Sequence, residues 1–300
     1  MAQRLIGVDV GGTKISVAVL EDGVLSEPSL CPTELSSSDA LVEQLVRLIG
    51  EAGPADGIGL GVPSVIDFAT GTARSSVNIP LQGVPLRGLL SERTGISVFV
   101  DNDGTCAALA EAYDDDMHPI AQILVMFTIG TGVGGGLVIG GRVFRGATGA
   151  APEIGHLIIA ADLEHGAPPA AGFPHPDSLE YHAAGRALDR LGEARGLGDG
   201  HAVVDAARAG DERALDAMRI LGESLGIGIA SAVNMLDPDL VVIGGGVSQA
   251  GELLLAPARE ACARFVVPGV GTATEIRLAR YGPQAGVRGA ALLAGQELGD

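Results

Sequence analysis

The chain has 300 residues, 47% of them hydrophobic, with 46 glycines, no tryptophan and a formal net charge of −18. That length allows two domains with cores of their own, and the acidic balance argues against a general basic surface for nucleic acid or an anionic membrane. No apolar run reaches membrane-spanning length, no charged-then-apolar leader opens the chain, and the early first strand leaves no room for an N-terminal DNA-binding module. Cys31, Cys106 and Cys262 are scattered and odd in number, which fits neither a disulfide framework nor a Cys-x-x-Cys metal site, so a reducing cytoplasm is the expected compartment.

Residues 5–20, LIGVDVGGTKISVAVL, read as a strand, a break and a second strand that Glu21-Asp22-Gly23 turns into a third. The break suits a phosphate. Gly11 and Gly12 let backbone N–H groups approach an anion, and Thr13 and Lys14 add a hydroxyl and a charge. Asp9, just before the turn, could hold Mg²⁺ through its water shell. A P-loop is excluded, because the spacing is wrong and a strand, not a helix, follows Lys14. An ordinary tight hairpin remains the alternative. Lys14 is the only lysine in the chain, which gives it either a local role or only the accident of a lysine-poor composition.

Further along, Ser38-Asp39 is expected to cap a helix carrying Leu41, Val42, Leu45, Leu48 and Ile49 at helical spacing. A buried strand at 58–62 ends at Pro63-Ser64, and a loop runs on through Asn78-Ile79-Pro80. A short helix near 85–94, a strand at 97–101 and a helix over 104–113 follow, with Asn102-Asp103 at the junction of the last two. Alternating strands and helices point to an α/β layer on a mostly parallel sheet. Asp114-Asp115-Asp116 reads as a linker between halves.

Residues 123–139 then repeat the opening pattern of strand, glycine-rich turn and strand, an internal duplication. Gly130, Thr131 and Gly132 stand where Gly11 to Thr13 stood. The G-x-G-x-x-G at 130–135 is followed by a strand, so a dinucleotide fold fails its context. Residues 146–177 read as loop. Helices are expected at 179–191, near 202–209 and at 211–235, followed by a strand at 240–243, a strand at 275–279 and a helix at 286–298. Between them, Gly244, Gly245, Gly246 and Ser248 lie at a strand's carboxyl end, where open α/β sheets bind ligands.

With DVGGTK, VDND, TIGTGVGGG, PEIGH and VIGGGVS in this order, the whole chain resembles the ROK family of sugar kinases and sugar-responsive repressors. Within it the likeness is greatest to a bacterial glucokinase. The resemblance implies an α/β fold of the actin/hexokinase-like ATPase type, with two lobes of duplicated topology around a cleft. It implies lobes at 1–116 and 117–285, with a C-terminal helix at 286–300 packing back on the first. It further implies ATP and Mg²⁺, with Gly11, Gly12, Thr13, Gly130, Thr131 and Gly132 around the phosphates and Gly244, Gly245, Gly246 and Ser248 near the nucleoside. Asn78, Asn102, Asp103, Glu153, His156 and Glu180 match positions that bind hexose hydroxyls, and Asp103 matches the general base. Those residue types suit the reaction, since phosphoryl transfer to an alcohol needs a carboxylate base and sugar recognition needs amides and carboxylates. Asn102 or Asp103 as a plain N-cap, Asn78 as turn chemistry and Glu180 as a helix-start carboxylate are the structural alternatives.

The sequence departs from the family in two places. Most members place three cysteines with the E-x-G-H histidine around a structural zinc, and the corresponding positions here are Ala171, Phe173 and Ser178. His165, His175, Asp177 and His182 lack a recognised ligand spacing, so no structural zinc is expected. Thr105 replaces a common Asn after the base. The resemblance implies a homodimer acting on a hexose, glucose favoured, with no nucleic acid or membrane partner. A sugar-binding regulator, a polyphosphate donor, or N-acetylglucosamine, mannose or fructose as acceptor are the alternatives.

Overall fold

In the computed structural model, residues 3–76, 79–164, 166 and 172–299 are described. The chain runs β1 (Arg4–Val10), β2 (Lys14–Glu21), β3 (Val24–Leu25), β4 (Ser29–Pro32), α1 (Ser38–Ala52), β5 (Gly57–Val62), β6 (Ser64–Asp67), β7 (Thr72–Ser76), α2 (Leu86–Thr94), β8 (Val98–Asn102) and α3 (Asp103–Glu111). Strands β9 (Ile123–Ile129), β10 (Val133–Ile139) and β11 (Arg142–Val143) follow, then helices α4 (Leu179–Ala183), α5 (Gly185–Ala194), α6 (Gly200–Arg208) and α7 (Glu212–Leu236). The chain closes with β12 (Leu240–Gly244), α8 (Glu252–Phe265), β13 (Glu275–Leu278) and α9 (Ala285–Leu298).

Two compact units emerge, and neither is one continuous stretch. The first comprises Met1–Gln122, Gly136–Pro152 and Arg280–Asp300; the second comprises Ile123–Gly135 and Glu153–Ala279. The chain thus enters the second unit with β9, leaves it within β10, enters it again at Glu153, and returns to the first unit at Arg280.

One sheet has the order β3-β2-β1-β5-β8 with β4 on β2, and the other β11-β10-β9-β12-β13. The second order repeats the first, strand for strand. In each, a parallel trio (β1, β5, β8 and β9, β12, β13) carries the centre. In the first unit, Ile6, Val8, Val10, Ile58 and Leu60 form a core with Leu41, Leu45 and Ile49 of α1. That helix is capped by Ser37, one residue before the expected Ser38, its hydroxyl accepting the Ala40 N–H at 3.1 Å.

Helix α9 packs on β1, β5 and α3 within the first unit. The sequence permits this by what it leaves out. A Cβ at Gly59 would run into the Ala290 carbonyl, and one at Gly7 into the Val287 carbonyl, so two strand glycines let the helix backbone lie against the sheet.

Two segments differ from the sequence reading. The stretch after Pro63, read as loop, contains the antiparallel hairpin β6–β7, whose Ser64, Ile66 and Ala73 are buried. The helix read over 179–191 is two helices. Ala184 is extended (φ −73°, ψ 167°), which turns the Gly185 N–H to the Gly130 carbonyl at 2.7 Å. Among the described residues, no helix is long and apolar enough to cross a membrane.

Candidate functional site

Asp9 precedes the β1–β2 turn. The turn is closed by the Gly11 N–H donating to the Lys14 carbonyl at 2.9 Å and by the Thr33 hydroxyl donating to the Gly11 carbonyl at 2.7 Å, while Thr13 and Lys14 are exposed. Burial and the Asp103 carboxylate push the Asp9 carboxyl up to about 7, with Lys14 pulling the other way. Both causes disfavour the charged carboxylate, so a proton or a nearby cation would stabilise this position.

Asn102 and Asp103 stand where β8 passes into α3. Asn102 is the N-cap, its side-chain oxygen accepting the N–H of Gly104 at 2.9 Å and of Thr105 at 3.3 Å, and its amide donating to the Ser64 carbonyl at 3.3 Å. The cap role and a ligand role are compatible here, because capping fixes the rotamer beside Asp103. The Asp103 carboxylate accepts the Gly104 N–H at 2.8 Å. Burial raises its carboxyl above the usual range, against the lowering effect of the Gly104 N–H, its own N–H and Asn102. Behind this pair, buried Asp101 accepts the Asn102 N–H at 2.8 Å and Arg145 Nε at 2.7 Å, and Arg145 lies 3.4 Å from the Phe68 ring centroid. Burial raises Asp101 too, opposed by Arg145.

The second unit carries the other glycine loop. The Gly130 N–H donates to the Gly132 carbonyl at 2.9 Å. Glu180, matched by sequence to the sugar contacts, accepts the Val133 N–H at 2.8 Å, and Gly132 has no Cβ because the Glu180 carboxyl fills that space. The loop is therefore propped by Glu180, whose own place is set by Ser178, the N-cap of α4. Glu153 caps a single 3-10 turn that ends in His156, whose Nε2 lies 3.9 Å from the Glu153 carboxyl. Partial burial raises the Glu153 carboxyl, with His156 opposing and Glu180 adding to the effect.

A cavity of about 480 Å³ opens within the second unit. Gly130, Thr131, Gly185 and Gly246 line one part, and Leu188, Val204, Val247 and Ala250 give it an apolar wall beside Asp189, His201, Asp205 and Arg208. That size and mix suit a small ligand with a flat apolar portion and a few polar anchors. Of the predicted nucleoside group only Gly246 lines it. Gly244 is the buried end of β12, Gly245 has φ 86° and packs on Ile129, and the Ser248 hydroxyl donates to the Gly245 carbonyl at 2.7 Å. The residues from α5 and α6 were not foreseen, and the one signal for them is the glycine cluster at 196–200 before α6. Asn78, His165 and Ala171 lie outside the described residues.

The model of the ROK family matches residues 5–297. A glucokinase of Halalkalibacterium halodurans is 35% identical, over 97% of this chain and 95% of its own. An N-acetyl-D-glucosamine kinase of Escherichia coli is 33% identical, over 96% and 98%. The solved structure of a ROK family glucokinase from Streptomyces griseus in complex with glucose and AMPPNP is 31% identical, covers 98% of this chain and 99% of its own, and aligns with a TM-score of 0.79.

Proposed function

Because the chain belongs to the ROK family and is a sugar kinase of the actin/hexokinase-like ATPase fold, we propose that it transfers the γ-phosphoryl group of ATP to the 6-hydroxyl of glucose. A hexose acceptor is supported by the glucokinase relatives, and ATP by the AMPPNP bound to the Streptomyces griseus enzyme. In this reading Asp103 is the general base. Its burial makes the carboxylate more basic than an exposed one, and the Gly104 N–H together with the Asn102 cap holds it in one orientation. Asn78, Asn102, Glu153, His156 and Glu180 bind the remaining sugar hydroxyls, whose loss in an analogue would leave buried polar groups unpaired.

Asp9 fits Mg²⁺, being a hard oxygen donor whose ionised form is disfavoured by burial and by Asp103. Such an ion supplies positive charge for the phosphate oxygens during transfer. The β1–β2 turn with Gly11, Gly12, Thr13 and Lys14 offers backbone and hydroxyl donors and a cation to the phosphates, and the second loop with Gly130, Thr131 and Gly132 offers backbone and hydroxyl donors. The cavity beside Gly130 and Gly246 takes the nucleoside, which favours ATP over polyphosphate, a donor with nothing to fill an apolar pocket.

The observation that carries this reading is the Asp103 carboxyl at the head of α3, raised by burial and held by hydrogen bonds. Asp103→Asn should leave the melting temperature near that of the wild type and lower kcat by about 10²–10⁴-fold. A variant that turns over at the wild-type rate would refute the role. A second acceptor, N-acetylglucosamine, is favoured by the relative at 33% identity. Steady-state kinetics over a panel of sugars, with ATP and with polyphosphate, decides between them. The expected result is the highest kcat/KM for glucose with ATP, and a higher value for N-acetylglucosamine would replace that assignment.

A further inference from the structure

The family resemblance assigns three thiolate positions to a zinc that also holds the site histidine. Here two of them are Phe173 and Ser178, and the third, Ala171, lies outside the described residues. Among the described residues, the remaining side chains do not fit a metal. Among the described residues, the one group of three His, Cys, Asp or Glu side chains with ligand atoms within 4.8 Å of one another is Asp114, Asp116 and His118, in the first unit, and His156, His175, Asp177 and His182 form no such group. His175 is occupied locally, its Nδ1 accepting the Asp177 N–H at 3.2 Å.

Another set of contacts surrounds His156. The Phe173 ring meets it edge to face, with centroids 5.2 Å apart and planes at 71°. Phe173 is otherwise 85% exposed, so core packing does not account for an aromatic residue there. The segments carrying the two rings are also stitched together by the backbone. The Leu179 N–H donates to the Leu157 carbonyl at 2.8 Å, the Ile159 N–H donates to the Asp177 carbonyl at 2.9 Å, and Ile158 and Ser178 pair as an antiparallel bridge. Ser178 is fully buried, and its hydroxyl accepts the Tyr181 N–H at 3.3 Å, which sets the start of α4 and so Glu180.

We propose that this clasp, the Phe173 ring on His156 and the pairing of 157–159 with 177–179, orients His156 for the hexose without any metal. Phe173 is thus a positioning residue that acts through His156. The inference rests on the assignment of His156 to the sugar. A zinc-bound histidine is fixed by a coordination bond, whereas an edge-to-face pair fixes it more weakly and needs no ion.

The test uses the purified full chain. Its zinc content is measured by mass spectrometry, and glucose KM and kcat are measured for wild type, Phe173→Ala, Phe173→Tyr, His156→Ala and the double variant, with and without 1,10-phenanthroline at constant Mg²⁺. The expected outcome is substoichiometric zinc and kinetics indifferent to the chelator. Phe173→Ala should raise glucose KM about three- to tenfold with kcat nearly unchanged. Phe173→Tyr should restore KM, and the double variant should be no worse than His156→Ala alone. Stoichiometric zinc whose removal raises KM overturns the proposal. So does a wild-type KM in Phe173→Ala when His156→Ala raises it, and that result leaves the sugar assignment standing. An unchanged KM in His156→Ala removes the sugar assignment and the clasp's purpose with it.

Discussion

Asp9 is a group whose burial costs stability once it ionises. Its carboxyl titrates near 7 in the folded chain and near 4 in an unfolded one, so the fold binds this proton more tightly than the unfolded state does. The resulting stabilisation is complete below about pH 4 and is lost as the pH climbs to about 7. In protein free of nucleotide and divalent cations, Asp9→Asn should remove that fall. Calorimetric melting temperatures across the range would show the wild type declining relative to the variant, and parallel curves would contradict the assignment. Arg145 presents the opposite case. It is the partner of Asp101, whose side chain is 3% exposed, and removing it leaves a buried carboxylate uncompensated. Arg145→Ala should cost about 3–5 kcal/mol in a urea titration. A loss of only a few tenths would mean that Asp101 takes up a proton or another partner at little cost.

At the scale of elements, the proposed function gives Glu180 a sugar contact beside its observed bond to the Val133 N–H. Because it props the Gly132–Val133 backbone, Glu180→Ala should raise KM for ATP as well as for the sugar, and an effect confined to the sugar would mean that the prop is idle. The contact of α9 with β5 is equally specific. Gly59→Ala would press a methyl group into the Ala290 carbonyl and should destabilise by about 1–3 kcal/mol or more, as seen in a denaturant midpoint. Most elements were legible in sequence because their apolar periodicity is strong, as in α1, α7 and the buried strands. The β6–β7 hairpin was not, since Ser64 to Ser76 is short and polar and its turn carries no Asn-Gly signal. The break at Ala184 was also hidden. Alanine is the best helix former, and only a tertiary bond from Gly185 to Gly130 overrides its preference. Glycine motifs announced the two glycine-rich turns, β1–β2 and β9–β10. The cavity's α5 and α6 residues carried no motif, because they meet only after helices distant in sequence have packed.

At the scale of the whole molecule, motif order made the fold readable from end to end. The first sheet's glycines say only that something approaches closely, and it is the family resemblance that implies a C-terminal helix there. The same resemblance implies a homodimer. Sedimentation at micromolar concentration should show twice the 30.2 kDa chain mass, and a single-chain mass would dismiss the expectation.

The late return of α9 to β1 and β5 also governs how the protein is born. As the chain leaves the ribosome, β1 and β5 wait with one face bare until α9 has been made, so the first unit cannot complete before residues 285–298 emerge. A chain halted at residue 284 should be insoluble or chaperone-bound, and supplying a peptide of residues 285–298 should rescue part of it, whereas a soluble and protease-resistant halted chain would show that the first unit closes without its final helix.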